Sequence, residues 1–244
     1  DPRGGRFDPA VFQAFQDSLD RRFPTGDILP IGVTYVSETT RFRNFGPLAG
    51  STVLIGFNVS PGGPFLSRTT LQADLRKYLQ LTGSSLAALR VRGFSSRGDN
   101  PDFFWFGGDN TMRGYPFQGF VGNRGFHANA ELRFPLIDAA ITPIGFFGPL
   151  RGTLFLNWGG AAFEDQPFQV FASDLRISRV DGRVVEGWGL KDTVASWGFS
   201  LGLNAFGLPL HFDWVRVTDF ASPVTNNLSL RDETLFKFWI GFDY

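Results

Sequence analysis

Along most of this chain, large apolar residues recur at every second position. From 126 to 136, Phe126, Ala128, Ala130, Leu132, Phe134 and Leu136 share one side, while His127, Asn129, Glu131 and Arg133 share the other. The same division sets Leu154, Leu156 and Trp158 against Thr153, Phe155, Asn157 and Gly159, and Leu208, Leu210, Phe212 and Trp214 against Pro209, His211 and Asp213. At the C-terminus, Phe236, Phe238, Ile240, Phe242 and Tyr244 oppose Lys237, Trp239, Gly241 and Asp243. Successive side chains of an extended strand point to opposite faces, so each stretch reads as a strand. Stretches 51–59, 70–81, 87–94 and 196–204 alternate likewise, and 31–42 does so more weakly. The pattern predicts about nine strands, each of about the length that crosses a bilayer at a tilt.

One segment breaks the period. Residues 8–23 place Phe12, Phe15, Leu19 and Phe23 on one helical face, with Asp8 as a cap and Pro9 in the first turn. The domain reading is therefore an N-terminal helix and linker over 1–27 and a β-barrel over 28–244. Short connections near 46–50, 82–85, 137–150 and 207 contrast with long ones over 95–125, 164–193 and 219–233, a habit of outer-membrane barrels.

Composition narrows the function. The 244 residues carry 23 basic and 23 acidic side chains, so no bulk electrostatic hold on nucleic acid is expected. The absence of cysteine rules out disulfides and thiolate metal sites. With only two histidines and no ligand spacing around them, neither a metal nor another cofactor is expected. Gly198-Phe199-Ser200-Leu201-Gly202 matches a hydrolase elbow, but the strand alternation runs straight through it where a strand-turn-helix is required. The chain reads as non-enzymatic. Phe, Trp and Tyr number 29, 6 and 4, and they sit at the ends of the apolar faces, as an interfacial girdle requires. Charges in register on the polar faces (Asp74 and Arg76, Arg90 and Arg92, Glu131 and Arg133) suit a wet lumen. Both features favour apolar-outside over apolar-inside.

The run FWFGGDNTMRGYPFQGFVGNRGFHANAELRFPL, with its Gly107-Gly108 start, its Arg113-Gly114-Tyr115 tip and Glu131 ahead of Phe-Pro-Leu, resembles the surface-antigen signature of the BamA-type outer-membrane assembly and translocation superfamily, which includes TamA and the FhaC-like pores. The closing FKFWIGFDY, with Phe236, Phe238, Ile240, Gly241, Phe242 and Tyr244, looks like that family's C-terminal signal. The resemblance implies an all-β transmembrane antiparallel barrel in a bacterial outer membrane, with family barrels of about sixteen strands. It implies that the loop folds into the lumen and that Arg113 meets acidic groups there, with Glu131 and Asn157 as partners; many relatives have Asp where this chain has Asn157. It further implies help in inserting outer-membrane proteins, or translocation of polypeptide. The expected partners are lipid and lipopolysaccharide, client proteins, and either a preceding portion of the chain or a second copy to complete the wall. The alternative is a structural or scaffold barrel, a short dimeric member without insertase activity.

Overall fold

The computed structural model describes residues 24–43, 46–137, 140–142, 145–147, 150–178, 184–205, 208–218, 220, 225–226 and 234–241. The expected helix at 8–23 and the side chains of Phe242 and Tyr244 lie outside them.

Nine strands form one sheet in chain order: β1 (Ile31–Glu38), β2 (Gly46–Pro61), β3 (Ser67–Gln80), β4 (Leu86–Gly98), β5 (Arg124–Ile137), β6 (Leu150–Ala162), β7 (Val194–Ala205), β8 (Leu208–Thr218) and β9 (Leu235–Ile240). Each pairs antiparallel with the next. The three-residue Arg41–Arg43 adds a tenth, against the start of β2. No ladder joins β1 to β9 among the described residues. Both edges of this wall are thus open there, and closure into a barrel is not part of the described fold.

The strands outrun the alternation that foretold them. From β2 to β8 they span 11 to 16 residues, because the ladder continues beyond the apolar band. Thr70 faces Ser96 and Leu71 faces Ser95 across β3 and β4, a stretch polar enough to blur a hydrophobic period. Antiparallel order sends the connections alternately to two rims. Residues 81–85 turn at one rim, where β7 also meets β8, while 99–123 and the connection from β6 to β7 lie at the other. The long-loop rim carries two further hairpins, Phe104–Phe106 with Phe120–Gly122 and Phe171–Ser178 with Val184–Leu190.

The two faces of the sheet invert the soluble rule. Phe57, Leu71, Leu75, Leu89, Leu154, Leu156, Trp197, Trp214, Phe236, Phe238 and Ile240 are exposed, while Arg90, His127, Asn129, Glu131, Arg133, Asn157, Ser196, Ser200, His211 and Asp213 are buried. Buried polar groups are costly unless partnered, so something must cover and satisfy the polar face. One local solution is Asp74, whose carboxylate accepts from Arg76 (3.1 and 2.9 Å) and Arg90 (3.1 and 2.7 Å). A small apolar cluster of Tyr78, Leu86 and Ala88, with Leu48 against it, fills the polar face near the short-turn rim. The expected wet lumen is corrected in part: around Glu131 and Asp213 this face is dry, and a loop fills it.

The register makes a prediction. Leu210 faces Ile240 across β8 and β9, and the chain has no cysteine to interfere. The pair Leu210→Cys/Ile240→Cys is expected to cross-link under mild oxidation, and Leu210→Cys/Trp239→Cys is not, because a one-residue shift moves the thiol to the other face. Intact-mass measurement before and after reduction reads the outcome; efficient cross-linking of the second pair would show a different register.

Candidate functional site

The covering loop leaves β4 at Gly98 and returns at Arg124. Its stem is the hairpin Phe104–Phe106 with Phe120–Gly122. Phe104 and Phe106 turn inward, and Met112 folds back onto them, fully buried, with Phe94, Tyr115, Phe120, Ala161 and Val194 packed around. His127 of β5 lies parallel to Phe104 at 6.2 Å between ring centres and tilted to Phe106 at 5.3 Å. The tip is tied by its own backbone, with the Met112 N–H donating to the Gly108 carbonyl (2.9 Å) and the Tyr115 N–H to that of Met112 (3.2 Å). Gly107 at φ 125° and Gly114 at φ 92° occupy backbone conformations that other residues rarely adopt. A Cβ on Gly114 would also stand 2.9 Å from Cγ1 of Val215, so the tip is pressed directly onto β8.

That approach delivers Arg113 to the buried face. Its Nη1 is 3.0 Å from Oε1 of Glu131 on β5, and its Nε is 3.4 Å from Oδ2 of Asp213 on β8. The guanidinium plane sits over the Phe155 ring of β6, 4.5 Å from its centre. Side-chain exposure is 4% for Arg113, 1% for Glu131 and 0% for Asp213. Glu131 also receives Arg133 through Nε and Nη2, both at 2.7 Å. Asp213 accepts from the Trp239 indole N–H of β9 (2.9 Å) and from the Ser200 hydroxyl of β7. Two guanidiniums and two carboxylates thus form a neutral cluster out of water. Neutrality matters, because an uncompensated charge there would cost several kcal/mol.

Around this cluster the loop makes further ties. The Tyr115 hydroxyl donates to the Ala195 carbonyl of β7 (3.0 Å). Lys237 of β9 pairs with Asp109 at 3.0 Å. Asn129 donates through Nδ2 to the Thr111 carbonyl and to Oδ1 of Asn157 (2.8 Å). From β5 to β9, five consecutive strands are held by one loop.

The structure therefore brings Arg113 to Glu131, with Gly107, Gly108, Gly114 and Tyr115 shaping the approach. Asn157 is hydrogen-bonded to Asn129 and to Ser196 (3.1 Å), and through Asn129 it is linked to the loop at the Thr111 carbonyl. The second carboxylate comes from Asp213, which sequence reasoning had only placed on the polar face. Lys237 and Asp109 were not singled out either. The Gly198–Gly202 stretch runs inside β7, and Ser200 spends its hydroxyl on Asp213. Of the C-terminal set, Phe236, Phe238 and Ile240 lie exposed on the apolar face, and the Gly241 carbonyl meets Nε2 of His211 at 3.0 Å.

No protein-family model and no curated protein matches this chain. Among solved structures, the fold is similar to the crystal structure of BamA from Haemophilus ducreyi lacking POTRA domains 1–3, with a TM-score of 0.56 and 15% identity over 86% of this chain. The chain spans 41% of that structure's length. The likeness is one of fold: an all-β, antiparallel, BamA-like wall.

The geometry predicts how Arg113 responds to substitution. Arg113→Ala should destabilise the fold by about 3–5 kcal/mol, the usual effect of leaving buried charge unpaired. Arg113→Lys should recover little of it, because a point ammonium cannot serve Glu131 and Asp213 together while stacking on Phe155. Urea-unfolding midpoints of the detergent-solubilised protein check both; full rescue by lysine would show that charge alone matters there.

Proposed function

We propose that this chain is a wall of an outer-membrane barrel that assists the insertion of other barrel proteins or passes polypeptide across the membrane. The observation that carries the reading is the buried loop that ties β5 to the edge strand β9. The resemblance of the loop and C-terminal motifs to the BamA-type superfamily and the BamA-like fold support it. So does the apolar open face, since a face of Leu, Phe and Trp suits lipid and its headgroup boundary.

In this reading β9 is the working edge. It pairs with β8 over only six residues, Leu235–Ile240, and its other edge carries no ladder among the described residues. Such an edge templates an incoming strand by β-augmentation. The loop holds β9 in place through Lys237 and Asp109, and through Trp239 on the same Asp213 that Arg113 contacts. Nine antiparallel strands leave β1 and β9 running in the same direction. An odd number of further strands would complete the wall with every pair antiparallel; a second copy would create parallel seams instead. Lipopolysaccharide and client proteins are the partners this reading requires.

Two experiments test it. Full-length protein in liposomes should speed the folding of a separately added outer-membrane barrel several-fold over empty liposomes. No acceleration, together with stable co-purification of fixed partners, would favour the scaffold reading, in which Asn157 reflects a lost acidic position. Separately, Leu156→Arg at the middle of β6 should cost about 2–4 kcal/mol in lipid if the open face meets the bilayer core. A change under about 0.5 kcal/mol, typical of a solvated surface, would overturn the membrane orientation.

A further inference from the structure

At the long-loop rim, behind the loop that carries Arg113, lies a cleft of about 900 Å³. That is within the range of roughly 300–1,000 Å³ typical of small-ligand sites. One wall is aromatic. Phe103 sits 5.9 Å from Trp105 and 6.1 Å from Phe163 between ring centres, in tilted and edge-on arrangements, and Trp105 is 51% exposed. Phe103 and Trp105 are the outward side of the stem whose inward side, Phe104 and Phe106, seals the loop, and Phe163 follows β6. The stem's inward aromatics are accounted for by packing; the outward ones are not.

The opposite lining is polar: Asp99, Asn100, Asn123, Glu164, Asp165 and Gln166, with Arg124 donating to the Gln166 carbonyl beside it. Asp99 is fixed by the Ser67 hydroxyl and backbone N–H at 2.7 and 3.0 Å, and Glu164 stands 3.9 Å from Arg97. Their charge is partly spent, so the lining is less an anionic trap than a row of planar hydrogen-bonding groups, half of them amides. Asn123 forms the closed part of this lining. It is 5% exposed and lines the cleft, and its Oδ1 has no hydrogen-bonding partner among the described residues. That oxygen is sealed from the cleft, so the polar groups a ligand can reach are the half-buried Asn100 and the exposed Asp99, Glu164, Asp165 and Gln166.

We propose that this cleft binds a neutral saccharide chain. Pyranose rings present apolar C–H faces that lie flat on aromatic side chains, and equatorial hydroxyls that both donate and accept. Phe103, Trp105 and Phe163 offer the first surface, and Asn100 and Gln166 with the carboxylates offer the second. Phosphorylated sugars fit less well, because Asp99, Glu164 and Asp165 would repel them. The inference does not rest on the insertion activity: it concerns the opposite side of the stem, and Trp105 makes no contact with the Arg113 cluster.

The test is calorimetric titration of the full-length protein in detergent micelles with cellohexaose and laminarihexaose. At least one should bind below about 1 mM. Trp105→Ala, and independently Phe103→Ala, should weaken it by at least about tenfold while heat-modifiable gel mobility and client folding stay as in the parent. Lipid-free core oligosaccharide released from lipopolysaccharide forms a second arm. It should bind more weakly than the neutral probes; tighter binding would overturn the assignment to a neutral saccharide. Absence of binding by all three saccharides, or affinities unchanged in both variants, overturns the proposal. So does preferential, salt-sensitive binding of hexalysine, which would make the cleft a site for basic peptide.

Discussion

The structure depends on keeping one guanidinium dry. Arg113 enters a face lined by polar side chains and is held there by Glu131, Asp213 and the Phe155 ring. None of these groups is tolerable alone in that position. Glu131 and Asp213 face inward because strand alternation puts them there, and alternation puts them there because the neighbouring positions must present leucine and phenylalanine to the other side. The apolar face thus creates the problem of the polar face, and the loop solves it. The glycines at 107 and 114 are a consequence, since only a backbone free to take positive φ presses close enough to β8.

A brace of this kind has mechanical consequences. The loop grows from the β4–β5 connection, so it is anchored in the middle of the wall and reaches sideways to its edge. Ties to β7, β8 and β9 converge on residues 109–115 around Arg113. Asp213 links three of the participants, since Ser200, Trp239 and Arg113 all address its carboxylate. A disturbance of the cluster should therefore be felt at the edge strand before it is felt in β2 to β4, which have a charge group of their own around Asp74. Such a division gives the wall a firm half and a conditional half.

Much of this was legible in the sequence, for a definite physical reason. A strand that separates two environments must alternate strictly, so the nine strands, their order and their faces could be read from residues such as Leu132 against Glu131 or Leu154 against Phe155. Strand ends were not legible where both faces turn polar, as at Ser95 and Ser96. Within the site, Arg113 and Glu131 were indicated by a motif resemblance. Asp213 was visible as an inward acid but not as a partner, because its contact to Arg113 spans a hundred residues of sequence. Phe155 carried a quieter signal: an aromatic on an otherwise polar face is out of place unless something stacks on it. Asn157 was legible as an inward residue of β6, but its partners Asn129 and Ser196 on the two neighbouring strands were not.

The central claim is that one buried charge cluster couples the loop to the edge of the wall. Amide hydrogen exchange followed by mass spectrometry, on the parent and on Asp213→Asn, tests it most directly. The account predicts faster exchange in the loop tip and in β7 to β9 of the variant, with β2 to β4 unchanged. Uniform acceleration across all nine strands, or none in β9, would contradict it.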